Sequence, residues 1–76
     1  MSRRTTIDAW EIQCNYGQGW EYETTEYSRK DCRAQLLAYS RNCPYPCRIK
    51  RRRFRIADCD PAELRDARAA GQTIAV

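Results

Sequence analysis

Apolar and polar residues alternate from the start of the chain. In TTIDAWEIQC, Thr5 to Cys14, Trp10, Ile12 and Cys14 fall on one face with Asp8, and Ile7, Ala9 and Glu11 on the other. A period of two predicts a β-strand. NYGQG, Asn15 to Gly19, follows, and its two glycines suit a tight turn that needs positive φ. WEYETTE, Trp20 to Glu26, alternates again, with Trp20, Tyr22 and Thr24 opposite Glu21, Glu23 and Thr25. The pattern predicts a half-buried hairpin with a wet, acidic face.

The period then changes. Cys32, Leu36, Tyr39 and Cys43 recur at helical spacing behind SRKD, where Ser28 can cap and Asp31 lies near the positive end of the helix dipole. Asn42 and the prolines of CPYPC end this helix. CRIKRRRFR, Cys47 to Arg55, carries Ile49 and Phe54 and, with Ile56 behind it, reads as a third strand. DCDPAEL opens a second helix, with Asp60 as cap, Pro61 at the first position and Glu63 at the third. Leu64, Ala67 and Arg68 are expected on its inner side, and Gly71 ends it. QTIAV has the option of a short edge strand. The expected fold is α+β: a three-stranded antiparallel sheet in the order β-β-α-β, the first helix across one face, then a second short helix. One compact domain spans 1–76, made of a basic tip (1–4), a ββαβ core (5–56) and a C-terminal helix and tail (57–76).

Size narrows the chemistry. A chain of 76 residues buries only about 60% of its unfolded surface, so a roomy cleft would compete with its own core. No apolar run is long enough to span a membrane, and MSRRTTIDAW lacks the apolar segment of a secretory signal. Histidine is absent, no glycine-rich loop joins a strand to a helix, and the carboxylate pairs Glu21/Glu23 and Asp58/Asp60 sit on an exposed face and at a helix cap. No acid/base catalysis is read from them, and the protein is expected not to be an enzyme. The five cysteines are odd in number and several occupy core positions, so they are expected to be reduced and packed, in a cytoplasmic protein. Cys43 and Cys47 have a C-x3-C spacing that two of Cys14, Cys32 and Cys59 would complete as a zinc site, but structural zinc sites usually show two close pairs. No metal or cofactor is expected.

Charge is segregated. Asp8 to Glu26 holds five acids and no base, whereas Arg48 to Arg55 holds six bases and no acid, within a net charge of +4. If the third strand pairs with the hairpin, some arginines lie across from Glu11, Glu21 and Glu23. Alternation still sends Arg48, Lys50 and Arg52 one way and Arg51 and Arg53 the other, so one set meets the helix. The strand is therefore expected to leave the sheet near Arg51 to Arg53 and show their guanidinium groups to solvent. Arg29, Lys30, Arg33 and Arg41 extend the patch. Trp10, Trp20 and Tyr39 are expected in the core, and Tyr16, Tyr27 and Tyr45 near loops. Arginine and tyrosine are common interface anchors. The candidate contact set is Arg48, Lys50, Arg51, Arg52, Arg53 and Arg55 with Tyr45, Tyr16 and Arg41.

The run WEIQCNYGQGWEYET (10–24), SRKDCRAQLLAY (28–39) and YPCRIKRRR (45–53) resembles a group of small phage and prophage proteins. The likeness covers about the first 55 residues and excludes the tail from Ala57. In kind the chain is similar to the anti-CRISPR inhibitors of type I systems, type I-C among them. The resemblance implies a stoichiometric, non-enzymatic inhibitor that docks on the surveillance complex Cascade, on protein subunits or guide RNA, and blocks target DNA. It would act in the bacterial cytoplasm during infection or from a prophage, as a monomer or weak homodimer. The net positive charge does not suit DNA mimicry by the whole molecule. The rivals are a small basic nucleic-acid-binding accessory protein and a zinc or redox module.

Overall fold

The computed structural model describes residues 5–74. The basic tip at 1–4 and the last two positions of the optional C-terminal strand lie outside the described residues. Within them the chain runs β1 (Thr6–Asn15), β2 (Trp20–Glu26), α1 (Arg29–Asn42), β3 (Cys47–Arg55), a short 3-10 turn (Ile56–Asp58) and α2 (Pro61–Ala69). The strands form an antiparallel sheet in the order β2-β1-β3, so this is the expected α+β arrangement.

Local chemistry sets most boundaries. Gly17 and Gly19 both have φ of 105° in the β1–β2 turn, and the Asn15 side chain accepts the Gly17 N–H at 2.8 Å. The Ser28 hydroxyl accepts the Asp31 N–H at 3.2 Å and caps α1. Asp60 accepts the Glu63 N–H at 2.8 Å and caps α2, with Pro61 in its first turn. At the far end Gly71, at φ 98°, lets the chain turn away.

β1 is the central strand, and its burial does not alternate. Ile7, Ala9, Ile12 and Cys14 are all fully buried because different elements cover its two faces. On one face α1 brings Cys32, Leu36 and Tyr39 over Ile12, Cys14, Ile49 and Cys47. On the other, α2 and the tail bring Leu64, Ala67 and Ile74 over Ile7 and Phe54. Arg68, expected on the inner side of α2, is exposed. Gln72 to Ile74 form no strand. Instead the Gln72 amide accepts the Asp8 N–H at 2.9 Å and donates to the Asp8 and Tyr27 carbonyls at 2.6 and 2.8 Å. Pairing with β2 begins only at Trp10, so this side chain satisfies backbone groups that a longer β2 would have taken.

β2 departs from strict alternation. Ile12 pairs with Thr24 but Gln13 pairs with Tyr22, leaving Glu23 as an extra residue in a bulge. Thr24 therefore shares the α1 face with Ile12, whereas Trp20 and Tyr22 share the opposite face with Gln13 and Asn15. Trp20, expected in the core, is 40% exposed and Tyr22 is 60% exposed. No helix among the described residues is long and apolar enough to cross a membrane.

Candidate functional site

β3 does not leave the sheet. All nine of its residues pair with β1, from Arg55 opposite Thr6 to Cys47 opposite Cys14. The central position of β1 also removes Glu21 and Glu23 as partners, since β2 lies on the far edge. Two acids of β1 answer the middle arginines instead. Asp8 accepts from Arg53 at 3.1 Å and lies 3.3 Å from Arg51. Glu11 accepts from Arg52 Nε at 3.0 Å. The residues differ sharply in exposure: the two acid side chains are 11% exposed, the three arginine side chains 46–61%.

The electrostatics follow from this burial. Burial alone would raise the Asp8 carboxyl. The Arg53 hydrogen bond, the charge and hydrogen bond of Arg51 and the charge of Arg53 outweigh it and hold the group below its ordinary value. Arg51 and Arg53 thus favour the ionised form of the nearly buried Asp8 carboxyl.

The other cations of β3 are placed differently. Arg48, Lys50 and Arg52 project from the sheet face opposite α1. That face is covered only at its Ile7–Phe54 end, so beyond it lies an open strip. The Arg48 guanidinium stacks on Trp20 at 4.2 Å from the ring centroid, and its Nε donates to the Gln13 amide oxygen at 3.0 Å. Tyr22 stands on the same face, its hydroxyl 2.8 Å from that of Thr25. Lys50 sits directly across from Glu11. The strip therefore runs from two exposed aromatic rings across the sheet to a row of cations at its edge. Arg55, the last residue of β3, is exposed, and like Arg48 and Lys50 it makes no ion pair among the described residues.

A second basic region lies on the α1 side of the same edge. Trp10, Ile49, Arg29, Arg33 and Arg51 line a cleft of about 670 Å³. Arg29 and Arg33 extend the patch as expected. Lys30 and Arg41 do not line this cleft, and Arg41 lies in the last turn of α1. β3 is an edge strand, so the cations wrap around an unpaired backbone edge, a placement that also discourages unwanted strand pairing.

Tyr16 and Tyr45 are 40% and 48% exposed and pack edge to face, with ring centroids 5.1 Å apart. The Tyr16 hydroxyl donates to the Glu23 carboxylate. That bond, with desolvation and the charges of Glu23 and Cys14, pushes its ionisation above the ordinary range. Tyr27, expected near an interface, is half-buried against the α2 cluster.

The same end of the sheet gathers three thiols. The Sγ atoms of Cys14, Cys43 and Cys47 all lie within 4.8 Å of one another. All five cysteines are free thiols. Cys32 and Cys59 lie outside the group, with thiols directed to the carbonyls of Trp10 and Arg55. The Cys47 thiol is pushed up to about 12 by its hydrogen bond with Cys14, by burial, and by the charges of Cys14 and Cys43. The sequence displays the C-x3-C half of this cluster; only the β1–β3 register supplies Cys14.

No protein-family profile, curated protein or solved structure matches the chain.

Proposed function

We propose that the protein is a non-enzymatic binding protein that acts on a type I CRISPR surveillance complex in the bacterial cytoplasm, in the manner of the phage-type inhibitors that its sequence resembles. Its contact surface is the open strip of Trp20, Tyr22, Arg48 and Lys50, continued around the β3 edge by Arg55, Arg29 and Arg33. The observation that carries this reading is the Arg48–Trp20 stack on a sheet face that neither helix covers at that end. Exposed rings beside guanidinium groups that make no ion pair among the described residues suit a target of bases and phosphates, such as guide RNA, or an acidic subunit surface. Tyr16 and Tyr45 lie at the turn end of the sheet, and Arg41 lies in the last turn of α1, on the other face from the strip.

The test is capture of the purified surveillance complex by the protein, with a parallel measurement of target DNA binding by that complex. Stable capture with loss of DNA binding is expected. No capture, or capture that leaves DNA binding unchanged, would overturn the proposal.

A specific observation also favours the second reading, a nucleic-acid-binding accessory protein. Trp20 and Tyr22 on an open sheet face resemble a stacking platform for single strands. Direct binding to bare RNA or DNA would persist without any protein partner. It would weaken with salt by a log–log slope of about −0.7 per phosphate contact for single strands.

A further inference from the structure

The thiol cluster at the turn end of the sheet stands apart from the binding strip. Cys14 is the penultimate residue of β1, Cys47 opens β3 directly opposite it, and Cys43 is the C-terminal cap of α1. Cys14, remote in sequence, thus joins the neighbouring Cys43 and Cys47 at a common point. The loop between the last two is held at both ends. The Cys43 N–H donates to the Tyr39 carbonyl at 2.8 Å, and the Asn15 N–H donates to the Pro46 carbonyl at 2.9 Å. Pro44 and Pro46 fix two of its φ angles. The thiols are therefore positioned by backbone that is already ordered, and little freedom is left to lose when they take a common ligand.

We propose that Cys14, Cys43 and Cys47 form a tri-thiolate site for a thiophilic metal ion, with zinc as its ordinary occupant. Zinc–sulfur bonds of about 2.3 Å at tetrahedral angles put sulfurs about 3.8 Å apart. Sulfurs within 4.8 Å reach that spacing through modest side-chain rotation. Cys43 and Cys47 are half-buried rather than sealed, which leaves an entry path. Soft sulfur ligands select zinc over magnesium or calcium. Among the described residues no fourth thiol joins the group, so the remaining position goes to water. The Tyr16 phenol interacts with both Cys14 and the Glu23 carboxylate and stands beside the site as an outer hydrogen-bonding group.

The ion would act as a staple. It ties the hairpin end of β1, the end of α1 and the start of β3, where the core beneath α1 has only Ile12, Cys14 and Cys32 fully buried. Small domains with so little core commonly gain stability this way. It would also fix Tyr45, which lies between two of the ligands in sequence.

The experiment uses the full chain expressed and purified under reducing conditions without added metal. Elemental analysis is expected to find one zinc ion per chain. Replacement by cobalt(II) is expected to give the sulfur-to-metal charge-transfer absorption of a thiolate site. Cys43→Ser, at a half-buried position, should lower zinc affinity by more than roughly 100-fold while far-ultraviolet circular dichroism still reports a folded chain. Cys59→Ser, in the other core cluster, should leave the zinc content unchanged and serves as the control. Absence of zinc together with absence of the cobalt band in the reduced protein would overturn the proposal. So would an intact mass two hydrogens light, with a Cys14–Cys47 or Cys43–Cys47 disulfide as the stable form.

Discussion

The middle and the two ends of β3 carry the same kind of side chain and use it differently. Arg51, Arg52 and Arg53 are committed to Asp8 and Glu11, carboxylates that the sheet has nearly buried. Arg48, Lys50 and Arg55 make no ion pair among the described residues, and Arg48 lies on an exposed tryptophan. A run of six cations in nine residues thus holds two structural environments in one strand. Register alone does not separate them: Lys50 lies directly across from Glu11, yet Glu11 pairs with Arg52, and Arg48 faces the Gln13 amide. Density of charge alone identifies neither.

The sharpest way to break this comparison is charge reversal of the middle group. Combined Arg51→Glu, Arg52→Glu and Arg53→Glu sets new carboxylates against Asp8 and Glu11 and removes their partners. A loss on the order of 2–4 kcal/mol is expected, the exposure of the arginines keeping it below the full value for a broken buried pair, and urea unfolding measures it. Solvent-facing guanidinium groups, as alternation along the sequence suggests, would instead leave stability unchanged. An unfolding midpoint equal to that of the parent chain would show that the ion pairs contribute nothing.

Reversal of the ends should invert the result. Arg48→Glu with Arg55→Glu, whose cross-strand neighbours are Gln13 and Thr6 rather than acids, is expected to change stability by no more than about 1 kcal/mol while abolishing capture of the target. Trp20→Ala and Tyr22→Ala sharpen the same point, since each stacked base lost from an aromatic platform costs about 1–3 kcal/mol of binding. Isothermal calorimetry against the target tests both. If these variants bind as the parent does, the strip is not the contact surface.

Gln72 offers a structural control on the other side of Asp8. Gln72→Ala leaves the partly buried Asp8 N–H and carbonyl without their amide partner. About 1–3 kcal/mol of destabilisation is expected, with no effect on binding beyond that on folding. Hydrogen exchange at the Asp8 amide should accelerate first.

The smallest effect is in acid. The folded Asp8 carboxyl titrates below its ordinary value of 3.8. Its contribution to stability is therefore complete above that pH and is lost as pH falls through the lower, folded value. Asp8→Asn should flatten the acid limb of the stability curve below pH 3.8. An unchanged acid limb in thermal melts would show that the arginines do not stabilise the ionised group.

The local elements could be read directly from residue order. Ser28, Asp60, Pro61, Gly71 and the Asn15–Gly19 turn act over three or four residues, and the structure keeps every one of them. The candidate surface was only half legible. Arg48, Lys50 and Arg55 make no ion pair among the described residues, but unbroken alternation puts Trp20 and Tyr22 on the wrong face. The bulge at Glu23 removes that alternation and turns them to the open face. Nothing short-range announces the bulge. It belongs to how β2 fits β1.

The chain's own order of residues determined its helices, its turns, the α+β class and the segregation of charge, because caps, glycines and periodicity act between near neighbours. Only the tertiary structure decided that β1 is central. That choice placed Asp8 and Glu11 beneath three arginines, set Cys14 opposite Cys47, and left β2's acids too far away to answer β3. Strand order and register depend on which faces α1 and α2 cover. That is a competition among residues up to 64 positions apart, as the bond between Asp8 and Gln72 shows, and no local pattern encodes it.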